Sequence, residues 1–182
     1  MSITIHFFRN RSLERIDYEK LIDYFDSMET CHINYYEDVV EMVYTDPVFD
    51  FPYRFLITKR SQVKSIYNLN VDYFNINLLV EIPILLPSYV TRCVLAFIMD
   101  VCKTFELEIY YEGIKNIEPF DMTGLMMFME KEKMYFIEEH PEQEIFFEDR
   151  EKLTQICQYQ QMMPYLPSKI KDEATINPYI VM

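Results

Sequence analysis

The chain has 182 residues, half of them hydrophobic and 16% aromatic. That suits one folded domain with its own core and excludes an intrinsically disordered chain. Thirty acids against 17 Lys and Arg leave a formal charge of −13, the wrong balance for binding a phosphate backbone or an anionic membrane surface. The only glycines are Gly113 and Gly124. There is no GxGxxG, GxxxxGK[ST], HExxH, GxSxG or CxxC, so a Rossmann oxidoreductase, a P-loop ATPase, a zincin, an α/β-hydrolase and a zinc finger are disfavoured.

From the N-terminus, "SITIHFF" alternates Ile3, Ile5 and Phe7 with polar or smaller partners and predicts a strand. "IDYEKLIDYFDSM" sets Ile16, Leu21, Tyr24, Phe25 and Met28 at helical spacing, with Asp17 or Ser12 as its cap. "YYEDVVEMVYTD" predicts one strand through Val40, Met42 and Tyr44. "DPVFDFP" is a turn signal, and "YRFLITKR" predicts the antiparallel partner. "SQVKSIYNLNVD" reads as a polar connector with room for a short helical turn.

The most apolar stretch, Leu78–Cys102, is interrupted by Glu81, Pro83, Pro87, Arg92 and Asp100. A membrane span needs about twenty apolar residues, so the expectation is two soluble elements. Phe74, Ile76, Leu78, Val80 and Ile82 keep period two up to Pro83, and from Pro87–Ser88 the period becomes helical through Val90, Val94, Phe97, Ile98, Val101 and Phe105. "ELEIYYEG" predicts a last strand with Leu107, Ile109 and Tyr111 inward, closed by Gly113.

Residues 1–113 therefore predict β-α-β-β-β-α-β: an α+β two-layer sandwich with two helices on one face of a mainly antiparallel sheet, ferredoxin-like or related. Residues 114–182 predict a helical extension packed on the same domain. Its first helix, capped by Asp121 and ended by Pro141, sets Met122, Leu125, Met126, Met129 and Phe136 on one side. "DREKLTQICQYQQMM" predicts a second helix, with Leu153, Ile156 and Cys157 inward. The apolar "YIVM" at the end reads either as an edge strand or as a cut from something longer.

Candidate chemistry is sparse. Cys31, Cys93, Cys102 and Cys157 form no CxxC pair, and Cys93 and Cys102 stand too far apart along one helix for a disulfide. They read as free thiols in a reducing compartment. With no basic n-region followed by an apolar run at the N-terminus, the cytoplasm is the expected location. His6 reads as a sheet residue. His32 follows Cys31, but neighbours in an extended segment point to opposite faces, so any dyad would need a distant pair such as Cys157 with His32. "EEHPEQE" groups Glu138, Glu139, His140, Glu142 and Glu144, which reads as a solvated helix end rather than a metal site. No cofactor or metal is expected.

Tyr35 with Tyr36, and Tyr110 with Tyr111, form adjacent pairs on predicted strands, and one ring of each pair is expected to point out of the core. Met127 falls off the methionine stripe of its helix. These five residues form the candidate protein-binding surface. The expected function is a non-enzymatic acidic protein-binding or regulatory domain. Its partner would be another protein of basic character, with neither nucleic acid nor membrane, and self-association stays open. The alternatives are a small-molecule-binding regulatory domain and a hydrolase or transferase using scattered carboxylates.

Overall fold

The computed structural model describes residues 2–47, 50–142 and 150–165, with side chains of 150–154 left aside. Glu144, Leu153 and the terminal "YIVM" lie outside what is described. Six antiparallel strands form one sheet: β1 (Ser2–Asn10), β2 (Cys31–Tyr35), β3 (Val39–Asp46), β4 (Phe51–Thr58), β5 (Tyr73–Pro83) and β6 (Glu108–Tyr110), in spatial order β2-β3-β4-β5-β1-β6. The helices are α1 (Tyr18–Asp26), α2 (Ser88–Phe105), α3 (Met122–Glu139) and α4 (Arg150–Met162).

The fold is α+β, as the sequence predicts. One strand is added. The expected single strand through residues 35–46 is two strands, because Glu37 and Asp38 turn the chain and β2 pairs back on β3 from Cys31↔Tyr44 to Tyr35↔Val40. The sheet accordingly has six strands, more than the order read from sequence. The main core takes in residues of four helices, not only α1 and α2.

Local chemistry fixes the elements. The Asp17 carboxylate accepts from the amides of Glu19 and Lys20 and starts α1, whose Leu21 and Phe25 stack one turn apart at 0% exposure. Pro83 ends β5. Pro87 precedes α2, and the Thr91 amide donates to its carbonyl. Glu106 ends α2 in the left-handed region (φ 50°), where the Leu107 amide reaches the Cys102 carbonyl. Asp121 caps α3 through the Thr123 amide.

The sheet's inner face carries Ile3, Ile5, Phe7, Met42, Phe55, Leu78, Val80 and Ile82, all buried with Val94 and Ile98 of α2, Leu125 and Met129 of α3 and Cys157 of α4. Aromatic rings tie its layers together. Phe55 meets Phe25 of α1 at 4.8 Å between centroids and Phe97 of α2 at 5.9 Å, and Tyr44 stacks on Phe97 at 4.5 Å. Ser88 donates to Glu130 (2.6 Å), which also pairs with the buried Lys133 (2.8 Å), joining the start of α2 to α3.

The β1–β5 register shifts between His6 and Phe8, and Asn77 stands there at φ 54°. This bulge frees backbone groups that find local partners. The Tyr18 hydroxyl donates to the Ile76 carbonyl (2.8 Å), and the Asn77 amide to Asn75 Oδ1 (2.9 Å). A smaller cluster of Phe8, Val63, Leu69 and Ile117 covers part of the outer face beneath the 59–72 connector, which holds a short 3-10 turn at Ile66–Asn68.

Candidate functional site

The outer face and the β2 edge carry the groups that are not committed to the core. Across the outer face runs a polar stripe. Asn34 Nδ2 donates to Glu41 Oε2 (3.1 Å), Arg54 Nη1 bonds Glu41 Oε1 (3.2 Å), and Arg54 Nε bonds Glu81 Oε2 (2.6 Å). One residue from each of β2, β3, β4 and β5 thus joins a single row. Arg54 is held in its charged form by those two carboxylates, Glu81 first.

The two edges of the sheet differ. At β6, Ile109 exchanges both backbone hydrogen bonds with Glu118, so a chain segment covers that edge. Among the described residues nothing pairs with the other side of β2. The hairpin closes with the Tyr36 amide on the Val39 carbonyl, and opens with the Thr45 amide on the Thr30 carbonyl. In an antiparallel ladder, facing residues alternate between bonded and non-bonded pairs. Asn34 and His32 therefore aim their backbone at β3. Cys31, Ile33 and Tyr35 aim theirs outward, except that the Cys31 amide turns back to the Met28 carbonyl (3.0 Å).

Natural edge strands carry Lys, Pro or bulges that discourage pairing. From Thr30 to Tyr36 this edge has no Lys, Arg, Asp, Glu or Pro. Acids flank it instead, Glu29 on one side and Glu37–Asp38 on the other.

A second feature lies near β1 and β6. A groove of about 420 Å³ is lined by His6, Thr4, Tyr110, Gln62, Phe128 and Glu132, with Lys64 and Glu112 among the rest. Burial lowers the His6 pKa and Glu112 partly opposes this, so the ring favours its neutral form. Lys64 and Glu112 pair at 3.4 Å, both well exposed.

The five residues singled out from sequence do not come together. Tyr35 (68% exposed) and Tyr36 (62%) sit at the β2–β3 hairpin, Tyr36 within reach of Glu41 (3.5 Å). Both rings are exposed, Tyr35 at the end of the edge strand and Tyr36 just beyond it, at the hairpin. Tyr110 lies at the opposite edge, half-buried against the smaller cluster. Tyr111 is 6% exposed, its ring 4.9 Å from that of Phe128, and offers little surface to a partner. Met127 is 70% exposed on α3.

The four cysteines are free. Burial raises the Cys31 thiol to about 11 and the Cys102 thiol to about 12, which makes both inert. His140 stacks on Phe136 at 4.3 Å, and no group of three or more His, Cys, Asp or Glu among the described residues could hold a metal ion. No described helix is long and apolar enough to cross a membrane. Comparison with protein-family models, curated proteins and solved structures finds no match.

Sequence reading missed β2 as a separate strand and missed the groove around His6. The missed signal for the groove was the polar side of the first strand, where Thr4 and His6 alternate with Ile3, Ile5 and Phe7.

Proposed function

We propose that this chain is a non-enzymatic acidic protein-binding domain that takes an extended basic segment of another protein onto the free edge of β2. The observation that carries this reading is an edge strand that no described residue pairs with on its outer side, free of Lys, Arg, Asp and Glu and bracketed by acids. An added strand would bond the outward groups of Ile33, Tyr35 and the Cys31 carbonyl, giving main-chain affinity. Its ends would meet Glu29 and Glu37, which favours Lys or Arg there, whereas Asp38 is already paired with Lys59 (2.5 Å). Tyr35 and Tyr36 would supply large exposed rings beside it.

The same geometry weighs against a second copy as the occupant. A two-fold pairing centred on Ile33 would set Glu29 directly opposite the partner's Glu37, and like charges facing one another destabilise a strand pair. Four free thiols support a reducing, cytoplasmic setting. We also read the topology as a split βαβ core of ferredoxin-like kind: β4-β5-β1-β6 follows that order, with the β2–β3 hairpin as an addition at its edge.

Ile33→Pro is the discriminating variant. It removes an outward N–H without touching the β3 ladder and changes no charge. A short peptide of alternating lysine and valine should bind the wild-type chain in a salt-sensitive way, and an alternating glutamate and valine peptide should not. Ile33→Pro should weaken the lysine peptide roughly tenfold or more, since it blocks main-chain pairing. Binding that is unchanged in Ile33→Pro would mean that net charge alone holds the peptide, and would falsify the edge as the site.

A further inference from the structure

We infer that the groove between β1, β6, the 59–72 connector and α3 is a binding site for a neutral, hydroxyl-rich small molecule such as a sugar ring or cyclic polyol. Its volume of about 420 Å³ falls within the usual range for ligand pockets. Its walls are built rather than incidental. Phe128 is seated so closely on Gly113 that a Cβ there would collide with its ring. Tyr111 packs on the same ring from within the core. His6 and Tyr110 face one another across β1 and β6, their ring centroids 6.4 Å apart.

The polar groups in the groove are unusually unspent. Among the described residues the side chains of Thr4, His6, Gln62, Ser65, Tyr110 and Glu132 make no hydrogen bond or ion pair with the protein. None of them is a buried atom lacking a partner either, so each is open to the groove or to solvent. A ligand can therefore replace water at these groups without breaking a protein contact.

The mixture decides the ligand class. Hydroxyl, amide and imidazole groups can donate, while the Glu132 carboxylate can only accept. A sugar hydroxyl both donates and accepts, so one ligand can satisfy both kinds at once. Phe128 and Tyr110 offer ring surfaces to its C–H face. Lys64 and Glu112 cancel, which leaves Glu132 as the unpaired charge and the net potential negative. A phosphate or carboxylate ligand would be repelled, all the more on a chain of charge −13.

Titration of the full chain with glucose, N-acetylglucosamine and myo-inositol, read by ligand-detected NMR and calorimetry, should give saturable binding of at least one of them. The expected Kd is about 1 mM or tighter. Glu132→Gln and His6→Phe should each weaken it roughly tenfold. Gln62→Ala, on the exposed connector, should weaken it too without risk to the core. Arg54→Ala lies on the same sheet face outside the groove and should leave binding unchanged. The inference is overturned if none of these sugars binds saturably, or if binding survives all the groove substitutions. It is equally overturned if Arg54→Ala weakens binding as much as they do, or if glucose 6-phosphate binds more tightly than glucose.

Discussion

Arg54 and Phe55 are neighbours in β4 and inhabit different worlds. Phe55 is fully buried between rings of α1, β1 and α2, while the Arg54 side chain, 51% exposed, spans Glu41 and Glu81 on the other face. The same contrast repeats along β1, where Ile5 and Phe7 are at 0% exposure and His6 between them opens into the groove. The alternation of a strand thus gives the sheet two faces of different character. The inner face supplies stability through area and ring contacts. The outer face is packed only where the 59–72 connector covers Phe8, Val63, Leu69 and Ile117; elsewhere it is polar, with Asn34, Glu41, Arg54 and Glu81 bonded to one another in a row.

The largest expected effect is on the inner face. Phe55→Ala removes a ring that meets Phe7, Phe25, Tyr53 and Phe97. It should cost about 3–5 kcal/mol in urea unfolding; a loss below about 1 kcal/mol would break the contrast between the faces. One residue away, Arg54→Ala should cost at most about 1 kcal/mol, and the difference from wild type should shrink in high salt. An effect as large as that of Phe55→Ala would mean that the outer stripe holds the sheet together.

The smallest effect is a pH slope from His6. Burial keeps its folded pKa below the ordinary 6.5. Below pH 6.5 the unfolded chain therefore takes up a proton that the folded chain refuses, and stability falls as the pH drops through that window. Above it the residue has no influence. Urea midpoints at about pH 7.5 and about pH 5.5 should differ less in His6→Phe than in wild type. An unchanged slope would show that the groove hydrates His6 as fully as bulk water does.

Much of the fold could be read from residue order because burial and period coincide there. The break at Pro83–Pro87 separates a period-two run from a helical run, and β5 and α2 meet it within a few residues. Asp17 and Asp121 are caps because a short acidic side chain can reach the orphan amides of a first turn. β2 escaped notice for a physical reason. An edge strand is buried only at Cys31, so His32, Asn34 and Tyr35 carry no hydrophobic alternation, and Glu37–Asp38 is not a strong turn signal. The groove escaped for another. Glu132 comes from α3 and His6 from β1, and only tertiary packing brings them to one cavity.

The hairpin tip at Tyr35–Tyr36 has a spectroscopic consequence. The chain contains no tryptophan, and its ultraviolet emission comes from 15 tyrosines. A Tyr36→Trp replacement would introduce the sole indole of the molecule, at a ring already 62% exposed. Its emission would start at the long wavelengths of a wetted indole and should shift to the blue on addition of the lysine–valine peptide if the proposed edge pairing covers the hairpin. Excited at the red edge beyond tyrosine absorption, that indole would report on the hairpin alone, against a chain that has no other tryptophan.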